Sequence, residues 1–280
     1  AYNLVNDQKN SIESLEKLLS WNAELPIEKD LDFKSILDNK LYVSKLEALA
    51  DYFKSKKEKS SVKLQLPKKY HIEDLEIINK SVYFTDIGSG KVLEVNEDNT
   101  ITELARVKGS AMAIVRSEDK KCLWVSSADL PNCFDCEIGE KNSTLNKINI
   151  ANGRILHSIE LPENSIIGSM VLHRGKIYAT SSTKPQLFVL DVLLNKIEKV
   201  VDIDDGFNLQ GITINKKNNI LYISDYIKGI LEIDLGNLSS RRWFESNKYL
   251  LKGIDGLSFL DDTSLIAIQN NSKPKKVIKI

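Results

Sequence analysis

The sequence predicts an all-β fold, a β-propeller of the six-bladed type with about five blades present, preceded by a small α-helical extension. Three observations carry this. A unit of short strand, aromatic, two small residues, gap and second strand recurs from residue 80 onward. The recurrence has a propeller's period. Residues 1–60 follow a helical period instead.

Taken from the N-terminus, Ile12, Leu15, Leu18, Leu19 and Ala23 fall at i, i+3, i+4 spacing, as do Leu41, Leu46, Leu49 and Tyr52. These patterns predict amphipathic helices over 11–22 and 41–55. Ser11 is the expected N-cap, and Glu13 and Glu16 stand early in that helix, where its dipole favours negative charge. Pro26 closes the first helix, and the Lys-rich run Lys54–Ser61 reads as a solvated linker. The expected units are therefore 1–60, helical, and 61–280, propeller. Val62–Leu66 alternates as a lone strand, expected to pair with the C-terminal end of the ring, because an open ring exposes sheet edges.

Strand pairs follow at Val82–Asp86 and Val92–Asn96, Leu123–Ser127 and Leu145–Asn149, Ile177–Ser181 and Leu187–Asp191, and Leu221–Asp225 and Leu231–Asp234. A fifth copy opens at Leu265–Gln269 and stops at Val277–Ile280. With Tyr83, Trp124, Tyr178, Tyr222 and Ile266 as the phase, the steps are 41, 54, 44 and 44 residues. The four aromatics are assigned to packing between blades. Asp86, Asp191, Asp225 and Asp234 are assigned to turns, where a carboxylate accepts backbone N–H bonds. The unfinished copy predicts a natural chain continuing for about 50 to 70 residues beyond Ile280. A closed five-bladed ring would instead need Val62–Leu66 to complete the last sheet.

The 280 residues carry 39 basic and 39 acidic side chains, so no nucleic-acid footprint or basic membrane-attracting stripe is expected. No apolar run reaches the roughly 18 residues of a membrane span. Ala1 without a preceding Met reads as a processed start, and export after removal of a signal segment is expected, with a cytoplasmic site left open. Cys122 reads as a core residue. Cys133 and Cys136 read as a short loop disulfide or as two free thiols, because one pair offers two of a structural zinc's four ligands. His71, His157 and His173 lack ligand spacing; His71 shares a strand face with Glu73 and is assigned a rim hydrogen bond over proton transfer. Asn208, Asn270 and Asn271 are turn residues that can also present polar groups at the channel mouth.

Asn208-Leu-Gln-Gly-Ile-Thr-Ile, Asn219-Ile-Leu-Tyr-Ile-Ser-Asp-Tyr226, Gly253-Ile-Asp-Gly-Leu-Ser-Phe and Leu265-Ile-Ala-Ile-Gln-Asn270 resemble the gluconolactonase-like propellers. That superfamily includes senescence marker protein and luciferin-regenerating enzyme, and the resemblance spans about residues 62 to 280. Residues 1–38 are similar to a tetratricopeptide-type unit. The resemblance implies a divalent cation, usually calcium, in the channel mouth. It places the metal ligands on Glu73, Gln210 and Asp255, with Ser169 in reserve, and gives Glu73 and Asp255 the catalytic carboxylates. The family has Asn where this chain has Gln210, and Gly168-Ser169 stands where another Asn is expected. The implied activity is divalent-metal-dependent hydrolysis of a small lactone or ester. The alternative is a non-catalytic propeller that has lost the metal site and binds a peptide or protein.

Overall fold

A computed structural model of the chain describes residues 7–55, 65–137, 143–244, 246 and 249–280. The helical part comprises α1 (Gln8–Trp21), two 3-10 turns at Ile27–Lys29 and Leu31–Phe33, α2 (Lys34–Leu37) and α3 (Lys40–Ser55). Helix α1 begins earlier than expected: Asp7, not Ser11, is the N-cap, its carboxylate accepting the Asn10 N–H at 3.3 Å. Ser11 lies within the helix and donates to the Asp7 carbonyl at 2.9 Å. Ile12, Leu15 and Leu19 pack with Ile27, Ile36 and Leu46, as an apolar stripe must to leave water. The inward phase of α3 runs through Tyr42, Leu46, Leu49 and Phe53, whereas Leu41 and Tyr52 face solvent.

Five antiparallel sheets follow, each a meander in chain order. Blade 1 is β1 (Ile72–Ile78), β2 (Ser81–Asp86), β3 (Lys91–Val95) and β4 (Ile101–Arg106). Blade 2 is β5 (Ser110–Arg116), β6 (Cys122–Ala128), β7 (Thr144–Asn149) and β8 (Ile155–Glu160). Blade 3 is β9 (Ile167–His173), β10 (Lys176–Ser181), β11 (Gln186–Asp191) and β12 (Lys196–Asp202). Blade 4 is β13 (Leu209–Asn215), β14 (Ile220–Asp225), β15 (Gly229–Asp234) and β16 (Asn237–Phe244). Blade 5 has three described strands, β17 (Ile254–Asp261), β18 (Ser264–Gln269) and β19 (Lys276–Lys279).

Apolar side chains fill the spaces between sheets. Tyr83 packs among blade 2 residues, Trp124 among blade 3, Tyr178 among blade 4 and Tyr222 beside blade 5. The small residues after each aromatic have their own task. The Thr85 hydroxyl donates to the Met112 carbonyl at 2.5 Å, Ser126 to Ile167 at 2.9 Å and Thr180 to Gln210 at 2.7 Å, each crossing to the next blade. A longer side chain here would hold the sheets apart.

Inner strands lie side by side from β1 through β5, β9 and β13 to β17. Among the described residues, β17 and β1 do not pack in this way. The expected closing strand is not found where it can be seen. Val62–Leu64 lie outside the described residues, while Gln65 and Leu66 are not in a strand. Leu66 packs against Phe84, Leu93 and Val95 of blade 1, not against the C-terminal sheet.

The helices rest on blade 5. The Lys273 N–H donates to the Trp21 carbonyl at 2.9 Å, and the Ala23 N–H to the Lys273 carbonyl at 2.7 Å. Lys276 donates to the Ser20 carbonyl and places its ammonium 5.5 Å from the Phe53 ring centre. No helix among the described residues is long and apolar enough to cross a membrane.

Candidate functional site

The channel mouth is set by a bulge that recurs at the start of each inner strand. Ile72, Ala111, Ile167, Leu209 and Ile254 each pair regularly with the second strand of their blade, and the register then slips. The register slips over Glu73-Asp74, Met112-Ala113, Gly168, Gln210-Gly211 and Asp255, so Glu73, Met112, Gly168, Gln210 and Asp255 each open the slip in their blade. A bulge turns a side chain out of the regular pleat. Glu73, Gln210 and Asp255 thus occupy equivalent places, as the sequence implied. Ser169 does not: it pairs in ordinary register with Thr180, and Gly168 holds the equivalent position. A Cβ added at Gly168 would stand 2.2 Å from the Ser182 hydroxyl oxygen, so a side chain there would first have to turn that hydroxyl aside.

Glu73 and Asp255 are both exposed to solvent. Desolvation raises the pKa of Glu73; the Asp255 charge raises it further, and His71 opposes both. Desolvation also raises that of Asp255. The 73 and 255 carboxylates, from the two end blades, are therefore within electrostatic reach of each other. Asn270 donates its amide to Asp255 Oδ2 at 2.7 Å, and the Tyr226 hydroxyl donates to Asn270 Oδ1 at 2.8 Å. The Tyr226 hydroxyl is itself pushed up by burial and by the Asp255 charge. Asn270 thus serves the mouth as well as its turn. Tyr226 escaped the sequence reading; its one signal was its place directly after a repeat-ending Asp. The Gln210 amide nitrogen donates to Asn208 Oδ1 at 2.7 Å.

The backbone beneath is held by buried acids. Asp225, fully buried, accepts from the N–H groups of Phe207, Asn208, Ile227 and Lys228 at 2.7, 3.0, 2.9 and 2.9 Å. Asp86 plays the same part in blade 1, accepting the His71 N–H at 2.7 Å and the Gly88 N–H at 3.3 Å. Asp191 and Asp234 cap turns as the repeat implied. His71 is fixed through its backbone, its ring acting on Glu73 only through charge. Asp74 joins the first two blades: its carboxylate accepts the Leu75 N–H at 2.8 Å and the Ile114 N–H at 3.0 Å. Cys133 and Cys136 are joined as a disulfide, and the loop between them donates two backbone N–H bonds to the Gly88 carbonyl at 3.1 and 3.0 Å.

Tested against a resident calcium, the set has the right chemistry and too few members. Two carboxylates and one amide oxygen are hard donors, but blades 2 and 3 contribute Met112 and Gly168, against the six to eight oxygens the ion takes. Among the described residues no three His, Cys, Asp or Glu side chains cluster closely enough to hold a metal.

Five meandering blades and one polar mouth define the class: this is a β-propeller with a short N-terminal helical segment. No protein-family model and no curated relative matches the chain. Solved structures share the fold. Virginiamycin B lyase from Staphylococcus aureus aligns with TM-score 0.56 and 15% identity over 75% of this chain and 69% of its own. A chain of the nidogen/laminin complex aligns at 0.59 and 14%, over 75% and 76%. The WD40 β-propeller domain of Doa1 aligns at 0.54 and 12%, over 72% of this chain and 63% of its own length. At these identities the likeness is one of fold alone.

Proposed function

We propose that this chain is a ligand-binding propeller whose channel mouth takes the cationic end, an ammonium or guanidinium, of a small polar ligand. The observation behind this is the carboxylate pair. Glu73 and Asp255 come from the first and last blades into a partly desolvated mouth; burial raises both pKa values, and the Asp255 charge adds to the rise at Glu73. Partly desolvated carboxylates of this kind are stabilised when a cation arrives, so part of the binding energy is the offset of that lost hydration. Asn270 orients Asp255, and Gln210 Oε1 offers one further acceptor.

Agmatine, which carries both cationic groups, is a suitable probe. Titration calorimetry should show binding that falls at least tenfold in both Glu73→Gln and Asp255→Asn. Affinity should also weaken as the pH drops through the raised carboxylate pKa values, since protonation removes the attraction. Agmatine binding unchanged by either substitution would overturn this reading. A parallel titration with calcium chloride separates the metal site implied by the family resemblance.

One observation favours a second reading, a metal-dependent lactone or ester hydrolase of gluconolactonase type. Carboxylates with raised pKa suit general acid and base work near neutral pH. Calcium-dependent hydrolysis of gluconolactone that disappears in both variants would establish that reading in place of the first.

A further inference from the structure

Outside the channel mouth, the rim of blade 4 gathers four side chains that neither reading above uses. Phe207 comes from the loop between β12 and β13, as does Asp205; Lys228 comes from the β14–β15 turn; Trp243 ends β16. The Lys228 ammonium lies 5.4 Å from the Phe207 ring centre, 5.0 Å from that of Trp243 and 3.4 Å from Asp205 Oδ2. The Trp243 indole N–H donates to the same Asp205 oxygen, which holds the indole face toward the lysine.

The base of this cluster is rigid. Buried Asp225 accepts the backbone N–H of Phe207, and Trp243 packs against the blade 4 core, so both rings have supports other than the lysine side chain. Phe207 is 60% exposed, so its ring is accessible from solvent. Two rings and a carboxylate around one cation are the composition of a cage for cationic ligands. Here the protein's own lysine is the guest.

We propose that Phe207, Trp243 and Asp205 form a second cation-binding site, specific for a small quaternary ammonium compound of choline type, and that Lys228 is its tethered competitor. Desolvation explains the preference. A lysine ammonium is strongly hydrated and gives up water reluctantly. A quaternary ammonium spreads its charge over methyl groups, sheds water at lower cost and fills the space between the rings. Such a ligand can displace Lys228, whose ammonium then returns to solvent beside Asp205.

The test follows the Trp243 indole N–H signal in 15N-labelled protein, identified by its loss in Trp243→Phe, during titration with tetramethylammonium chloride. Sodium chloride at equal ionic strength is the control. Lys228→Ala should bind at least tenfold more tightly than the wild type, because the competitor is gone. Lys228→Met, which refills the cage with an uncharged chain, should bind more weakly than Lys228→Ala. Choline should reproduce the tetramethylammonium pattern. If the signal in Lys228→Ala moves no further than in the sodium chloride control, or if the Ala and Met variants respond alike, the site does not exist. Asp255→Asn should leave this response intact, so failure here and failure at the channel mouth are separable.

Discussion

Replacing Asp74 by Asn should change how stability depends on pH. Asp74 sits between blades 1 and 2, and desolvation lifts its pKa from 3.8 to about 7 although two backbone N–H groups favour its charged form. A carboxyl group whose folded pKa exceeds its unfolded one contributes full stability below the unfolded value. That contribution is lost as pH rises through the folded value. Each pH unit over which only the folded state holds the proton is worth about 1.4 kcal/mol. From pH 5 to pH 8, the wild type should therefore lose about 3 kcal/mol more than Asp74→Asn, whose amide carries no charge and keeps an acceptor for Ile114 or Leu75. Urea unfolding of both proteins at pH 5, 6, 7 and 8 measures the difference, and subtracting the curves cancels every group they share. Parallel curves would refute the reasoning, showing that water or relaxation of the blade interface relieves the burial.

Two further substitutions probe the frame. A Cβ added at Gly211 would stand 2.6 Å from the Leu257 nitrogen and 2.7 Å from the Asp255 carbonyl oxygen. Gly211→Ala should therefore force blades 4 and 5 apart, costing about 1–3 kcal/mol in urea unfolding, and should weaken agmatine binding by shifting Asp255. Lys276→Met should weaken the seating of the helices on blade 5 by about 1–2 kcal/mol through loss of the Ser20 bond and the contact with Phe53. A red shift of Trp21 fluorescence, isolated in a variant with Trp124 and Trp243 replaced by Phe, would report it; unchanged emission and stability would count against that contact.

The repeat was legible because a blade imposes the same local demands each time. In blades 1 to 4 an aromatic fills the space between sheets, and in blades 1 and 4 a carboxylate holds the turn, so Tyr83 and Asp86 find their counterparts in Tyr222 and Asp225. The small residues beside the aromatics were visible as a pattern but not as a function; their bonds to Met112, Ile167 and Gln210 exist only between adjacent blades. In the helices, periodicity located the elements and placed Leu46 and Leu49 inward correctly, but at the ends of α3 it chose Leu41 and Tyr52 over their apolar neighbours Tyr42 and Phe53. Ser11 looked like a cap because capping chemistry is local, and Asp7, an equally good acceptor, lay one turn upstream.

What the sequence determined by itself is everything that rests on short-range chemistry: strand alternation, turn carboxylates and the propeller period. Tertiary structure alone decided which of these groups meet. The bulge that selects Gly168 over Ser169 depends on which residues pair across β9 and β10. The raised carboxylates depend on residues 73 and 255 being carried into one mouth by five blades. The guest between Phe207 and Trp243 depends on two loops and the end of β16 converging on one rim. Each is a relation between residues distant in sequence, and spacing along a chain holds no measure of distance across a fold.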